Sequence, residues 1–145
     1  MIALIQRVLN ANVMVESQKI ADIDQGLLVF LGVEKTDTEE NAKTLLNKVM
    51  NYRVFEDDQQ KMNLSLLDIK ASLLIVPQFT LAANTQRGSR PSFSSAAPPA
   101  MGLALYEHFV ALAKTDIDKV ETGKFGADMK VGLTNDGPVT FWLKK

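Results

Sequence analysis

Leu27-Leu-Val-Phe-Leu-Gly-Val33 is a nearly unbroken apolar run, bounded by Gly26 on one side and a charged stretch on the other. Seven residues of that kind between turn-forming and charged residues read as a strand buried on both faces. Ser72-Leu-Leu-Ile-Val76 is a second run of the same type, cut by Pro77. Proline cannot donate to a ladder, so an edge or a bulge is expected there. Between the two runs, Thr36-Asp-Thr-Glu39 has the S/T-x-x-E form of a capping box. Ala42, Leu45, Leu46, Val49 and Met50 follow at helical spacing, which predicts a helix starting at that cap.

The pattern extends outward in both directions. Ile2 to Val8 and Asn12 to Glu16 are short and β-rich, and Asn10-Ala-Asn between them predicts a hairpin. Tyr52 to Phe55 predicts a short strand, and Glu56-Asp-Asp-Gln-Gln-Lys61 an exposed turn. Ala82 to Ala97, rich in small and polar residues, is a long loop of the kind that is usually functional or flexible. Pro98 and Pro99 can open a second helix, with Met101, Leu105, Phe109 and Leu112 as its apolar stripe. The chain closes with Phe125 to Leu133, a turn at Asn135-Asp-Gly-Pro138, and a strand over Val139-Thr-Phe-Trp-Leu143. There are no repeats and no linker. The expectation is one compact α+β domain over residues 1–145, mostly β-sheet and barrel-like, with two main helices.

Composition narrows the chemistry. The 145 residues are 46% hydrophobic and 23% charged, ordinary globular usage that excludes disorder and low complexity. Without cysteine there is no thiolate nucleophile, disulfide or zinc knuckle, and the single histidine, His108, cannot build a multi-histidine cage. Catalysis would rest on hydroxyls, carboxylates, backbone groups or the substrate itself, and no metal or other cofactor is expected. Sixteen Lys and Arg balance 17 Asp and Glu, a net charge of −1, so no nucleic-acid partner can be read from bulk charge. Arg87 with Arg90, Lys124 with Lys130, and Lys144-Lys145 read as solvated surface charge. No apolar run reaches the ~20 residues that span a bilayer, and the start lacks the basic region of a signal peptide. The expected location is cytoplasmic, with no membrane partner.

Most candidate motifs have an ordinary structural reading. His108 falls beside the stripe of the second helix and reads as a partly buried or surface residue. No serine has a G-x-S-x-G elbow, and no second histidine could activate one. Glu56-Asp-Asp58 is adjacent in sequence and does not converge on one ion, and Gly123-Lys-Phe-Gly126 matches no phosphate loop. Two segments stand out. Pro77-Gln-Phe-Thr-Leu81 places an amide, an aromatic and a hydroxyl where a buried strand meets the long loop. It can present backbone N–H groups and a stacking face to a ligand, or be only a strand end. Asn135-Asp-Gly-Pro-Val-Thr140 is either a turn and nothing more or a second functional element.

Over essentially its whole length the chain resembles the D-aminoacyl-tRNA deacylase (D-tyrosyl-tRNA deacylase) family. The resemblance rests on the opening Met1-Ile-Ala-Leu-Ile-Gln-Arg-Val8, on Leu27 to Glu34, Tyr52-Arg-Val-Phe55, Lys61-Met-Asn-Leu64 and Arg87-Gly-Ser-Arg-Pro-Ser-Phe93, in family order. The two signature motifs fall on Gln78-Phe79-Thr80-Leu81 and Asn135-Asp136-Gly137-Pro138-Val139-Thr140. The sequence departs from the family where Pro77 replaces a common serine and Asp136 a frequent threonine.

The resemblance implies hydrolysis of the ester joining a D-amino acid to the terminal ribose of tRNA, and removal of mischarged glycine. It implies a homodimer with sites at the subunit interface, no metal or cofactor, and proton work done largely by the ribose 2′-OH. Gln78, Phe79 and Thr80 would form the catalytic wall, with the Phe79 N–H as oxyanion donor and Thr80 in a positioning role. Gly137-Pro138, joined by a cis bond, would be the chirality filter, reaching into the partner's site. Arg7 and Met129 would support that segment, and Phe125 would help line the pocket for the 3′-terminal adenosine. Two rival readings are a dimeric module that only binds RNA ends or a small ligand, and a general esterase using Thr80 or a serine.

Overall fold

In the computed structural model, which describes residues 1–86 and 88–145, the Leu27 run is the strand on which the sheet is assembled. Arg87, read above with Arg90 and as the start of the Arg87–Phe93 segment, lies outside the described residues. Strand β3 (Gly26–Gly32) pairs antiparallel with β1 (Ile2–Val15), from Ile2 opposite Gly32 to Val8 opposite Gly26. On its other edge it pairs parallel with β6 (Ser72–Pro77). Leu27, Leu28 and Val29 are all 0% exposed, the double-sided burial that their unbroken apolar run requires. At the entry, a Cβ on Gly26 would lie 2.0 Å from the Ser72 carbonyl oxygen, so only glycine lets the two strands start side by side.

β1 is one long strand rather than the expected hairpin. Its outer edge carries β8 (Lys130–Lys144) along its length, while its inner edge carries β3 in the first half and β2 (Gln18–Ile23) in the second. Ala11, placed in a turn by its asparagine neighbours, is fully buried and paired on both sides, to Ile23 and Leu133. The asparagines produce a bulge instead. From Val8 to Asn10, β1 advances two residues while β8 advances one. The actual hairpin turn is at Glu16-Ser17, both with positive φ (49° and 65°), joining β1 to β2.

Beyond β6 the sheet continues with β7 (Val120–Thr122), giving the order β2-β1-β3-β6-β7 with β8 on β1, a nearly closed barrel. β6 is therefore an interior strand. Pro77 is tolerated because β7 pairs only with Leu73 to Ile75, so the proline occupies the end of β6, beyond the last pair with β7. A small antiparallel pair, β4 (Phe55–Glu56) and β5 (Met62–Leu64), replaces the strand expected over Tyr52 to Phe55.

Alternation along the strands sorts the core into two bodies. On one face Ala3, Ile5, Leu27, Val29, Leu73 and Ile75 pack against helices α1 (Glu39–Met50) and α2 (Pro99–Asp116). On the other, Val8, Val13, Ile23, Leu28, Leu74 and Val76 form a second core cluster. The cap of α1 is Thr38, not Thr36. Thr38 Oγ1 accepts from the Asn41 N–H at 3.4 Å, and Asn41 Oδ1 accepts from the Thr38 N–H at 2.9 Å. The cap moves because Asp37 is committed elsewhere: it accepts from the Glu34 N–H at 2.7 Å and pairs with the buried Met1 ammonium. α2 starts as expected, with Pro98 as its cap and Pro99 at its first position. No helix among the described residues is long and apolar enough to cross a membrane.

Candidate active site

β6 ends where its neighbours stop pairing, and the chain turns there. Gln78 N–H donates to the Leu31 carbonyl at 2.8 Å, after which Phe79–Ala82 form a single 3-10 turn. The turn rests directly on Gly32, where a Cβ would meet Leu81 Cβ at 2.9 Å. Its hydrogen bonds begin with Leu81 N–H to Gln78 and Ala83 N–H to Thr80. The Phe79 and Thr80 amides precede those bonds, the position in a helical turn where N–H groups have no partner within the turn.

Beside this turn lies a cavity of about 480 Å³. Val76, Pro77, Gln78 and Phe79 form one wall, Leu31 and Val33 the adjoining one, and Phe125 to Met129 the far side, with Gly102 and Tyr106 of α2 also lining it. Tyr106 anchors this wall. Its hydroxyl lies 3.0 Å from the Ile75 carbonyl and 3.1 Å from the Gly123 carbonyl, so one O–H donor serves the ends of both β6 and β7. Burial pushes this phenol well above its ordinary pKa, which keeps it a neutral donor. Phe125 packs 6.0 Å from the Tyr106 ring at 45°, and Gly102 leaves its space, since a Cβ there would sit 3.4 Å from the Phe125 ring edge. Met129 Sδ accepts from the Lys124 N–H at 3.3 Å and lies where a Gly123 Cβ would come within 2.9 Å. The lining is mainly apolar, and the side-chain polar groups on it are Gln78, Asp128 and the Tyr106 hydroxyl. Such a vessel suits a flat heterocycle or a small side chain.

Phe79 projects from the cavity rim, 58% exposed, and leans on Phe93 with ring centroids 5.0 Å apart and planes tilted 51°. Thr80 is exposed and does not line the cavity. Its hydroxyl accepts from the Gln78 side-chain amide, a group that cannot take a proton from it. His108 is half-buried on α2 and also lies outside the lining. No cluster of three or more metal-ligating side chains occurs among the described residues.

The second motif forms a separate structure. On β8, Thr140 pairs with Gln6 and Asn135 with Val8, so β1 advances two residues while β8 advances five. The three surplus residues, Asp136-Gly137-Pro138, are looped out, with a cis Gly137–Pro138 bond and Gly137 at φ 127°. The Asn135 side chain closes the base of the loop, accepting from the Val139 N–H at 2.8 Å and donating to its carbonyl at 3.0 Å. Arg7, 5% exposed, reaches into it from β1 and also donates to the Val54 carbonyl at 2.7 Å. None of Asn135–Thr140 lines the cavity of its own chain.

Gln78, Phe79, Phe125 and Met129 thus converge on the cavity, while Arg7, Gly137 and Pro138 converge on the loop. Met129 belongs to the first group within the chain. Tyr106 and Gly102 are site residues that sequence reasoning missed. Their only sequence signal was position, since both lie on the buried side of a helix whose stripe was read through Leu105 and Phe109.

The sequence model of the D-Tyr-tRNA(Tyr) deacylase family matches residues 4–144. A D-aminoacyl-tRNA deacylase of Francisella tularensis subsp. novicida is 54% identical over 144 residues, 99% of each chain. One from Pseudomonas aeruginosa is 59% identical over 142 residues, 98% of each. Among solved structures, a c-Myc DNA Unwinding Element Binding Protein superposes with a TM-score of 0.95 at 38% identity, covering 100% of this chain and 99% of that one.

Proposed function

The chain belongs to the D-Tyr-tRNA(Tyr) deacylase family and is a D-aminoacyl-tRNA deacylase. From that premise we propose that the cavity beside Gln78 and Phe79 takes the 3′-terminal adenosine with its esterified D-amino acid. Water adds to the ester carbonyl, and the developing oxyanion is met by the Phe79 N–H, which opens the 3-10 turn and is held by the close packing of Leu81 on Gly32. The acyl–oxygen bond then breaks, giving the free D-amino acid and the 3′-hydroxyl of tRNA. The vicinal ribose 2′-OH relays the proton, since Thr80 has only an amide donor beside it. The reaction needs no metal in this reading, because an aminoacyl ester is already activated. The observation that carries the site is the pre-turn amide of Phe79 at the edge of an apolar cavity. Such a reaction, on charged tRNA, is cytoplasmic work.

The chirality filter is assigned to Gly137-Pro138, and it acts in the cavity of a second copy of the chain. Two features support a homodimer. The loop is absent from its own cavity, and the sheet face carrying Leu4, Phe30 and Trp142 is turned away from both helices. These three are register neighbours, and Trp142 is 53% exposed. Backbone carbonyls at the filter would exclude an L side chain, whereas glycine, with only hydrogens on its α-carbon, would pass and be removed.

Hydrolysis of matched D- and L-tyrosyl-tRNA by the purified protein, with and without EDTA, tests this reading. Release of D-tyrosine with the L ester left largely intact is expected, unchanged by chelator. Equal rates on the two enantiomers would defeat the filter, and abolition by EDTA would defeat the metal-free scheme. Sedimentation should give a dimer. A fully active monomer at micromolar concentration would contradict a shared site.

A further inference from the structure

Resting on that reading of the site, we infer that Phe93 forms with Phe79 a stacking platform for the unpaired base that precedes the terminal adenosine of the RNA. Neither ring is a core residue. Phe79 is 58% exposed and Phe93 41%, and together they form an aromatic contact at the cavity rim. Only Phe79 lines the cavity, so Phe93 lies one ring outward, 5.0 Å away. The two rings make a tilted contact running outward from the cavity rim, so a chain whose last base occupies the cavity brings its next base to the Phe93 side of that rim.

The segment carrying Phe93 is built to hold it there. Asn84 and Ser92 exchange both backbone hydrogen bonds, at 2.8 and 3.1 Å, which anchors the chain just before Phe93. Ser95 Oγ donates to the Ala82 carbonyl, and Lys35 N–H donates to the Ser95 carbonyl at 3.0 Å, fixing the other side. The ring stands between two anchored points. Arg90, three residues before Phe93, is exposed, a positive charge close in sequence to the ring and of the sign that attracts a phosphate backbone. Phe79 contacts Phe93 from one side only, and the 41% exposure of Phe93 leaves ring surface open to a base. Stacking on an open aromatic face tolerates any base, so the platform reads no particular sequence.

Binding tests this independently of turnover. The probe is a synthetic RNA hairpin ending in an unpaired 3′ strand, with 2-aminopurine replacing the base before the terminal adenosine. The wild-type protein and Phe93→Tyr should quench its fluorescence, and Phe93→Ala should not. Equal quenching by Phe93→Ala would overturn the platform. In the kinetic arm, Phe93→Ala should raise KM for D-tyrosyl-tRNA about tenfold with kcat within about twofold, the size expected for one lost stacking contact. The KM for D-tyrosyl-adenosine, which has no preceding base, should be unchanged. An equal rise on both substrates would mean that Phe93 only shapes the cavity, and the inference would fail. Absence of wild-type hydrolysis on any charged tRNA would instead sink the deacylase scheme while leaving the quenching result to stand or fall alone. An unchanged circular dichroism spectrum and melting temperature in Phe93→Ala confirm that the exposed ring has been removed without unfolding the chain.

Discussion

Arg7 and Asp136 meet twice: the guanidinium Nε lies 3.0 Å from the Asp136 carboxylate and donates to the Asp136 backbone carbonyl at 3.2 Å. The same buried guanidinium donates to the Val54 carbonyl at 2.7 Å and lies 3.6 Å from Glu56. One side chain therefore ties the looped-out segment to β1 and to the start of β4. Removing the two ends of this contact should cost unequal amounts. Arg7→Met removes the buried guanidinium's hydrogen bonds to the Val54 and Asp136 carbonyls, a loss of about 2–3 kcal/mol. Asp136→Asn keeps the backbone bond at a partly exposed position and should cost about 1 kcal/mol or less. Urea unfolding of both variants gives the comparison. Equal losses would show that the carboxylate, not the guanidinium, holds the loop.

Thr80 gives the sharpest test of how the ester is cleaved. It is exposed, and its hydroxyl accepts from an amide. Thr80→Ala should lower kcat on D-tyrosyl-tRNA by less than about tenfold, the scale of a lost positioning contact rather than of a lost nucleophile. Replacing the terminal 2′-OH of the tRNA by hydrogen should cost more. Isolation of an acyl-Thr80 adduct would refute the scheme.

The places where sequence reading succeeded and failed have a common physical reason. Leu27–Val33 and Ser72–Val76 announced interior strands because burial on both faces leaves a run with no polar alternation to misread. Ala42 to Met50 was legible as a helix, yet its cap was misplaced by two residues. Thr36-x-x-Glu39 and Thr38-x-x-Asn41 are both local capping patterns, and a distant group chose between them: the Met1 ammonium takes Asp37 into the preceding turn. Asn10-Ala-Asn has turn chemistry, but two neighbouring strands pair with Ala11 and stretch it into a bulge. The site followed the same rule. Of the cavity wall, Gln78 and Phe79 follow a strand end that the sequence marks, whereas Tyr106 joins it through carbonyls 31 and 17 residues away, contacts that no local pattern records.

Gly137 is required by geometry at two levels. Its φ of 127° lies where side chains are rarely tolerated, and a Cβ would approach Val139 Cγ2 to 2.6 Å and the Val139 nitrogen to 3.1 Å. The Val139 nitrogen cannot retreat without giving up its 2.8 Å bond to Asn135. Gly137→Ala should therefore destabilise the chain by about 1–3 kcal/mol and lower hydrolysis of D-tyrosyl-tRNA at least tenfold. Wild-type stability and rate in this variant would mean that the loop rearranges freely and plays no part in the site.

Tyr106 links stability to pH through the cavity wall. Its hydroxyl has two carbonyls in reach, but the Ile75 carbonyl also accepts from the Gly123 N–H at 2.8 Å and keeps that partner when the phenol is removed. Tyr106→Phe should thus cost only about 1 kcal/mol near neutral pH. Burial raises the folded-state pKa of the phenol above the unfolded value near 10. Below about pH 10 both states hold the proton and the contribution is fully present. As pH climbs from there towards the raised folded value, the unfolded chain loses its proton first and gains stability relative to the fold, by up to about 1.4 kcal/mol per pH unit. Wild-type protein should lose its advantage over Tyr106→Phe between about pH 10 and about 11, and the order of the two should then reverse. Urea titrations of both proteins across that range measure the difference directly, because the two proteins differ only in this hydroxyl. A gap between the two that stays constant with pH would show that the phenol is not held neutral by burial.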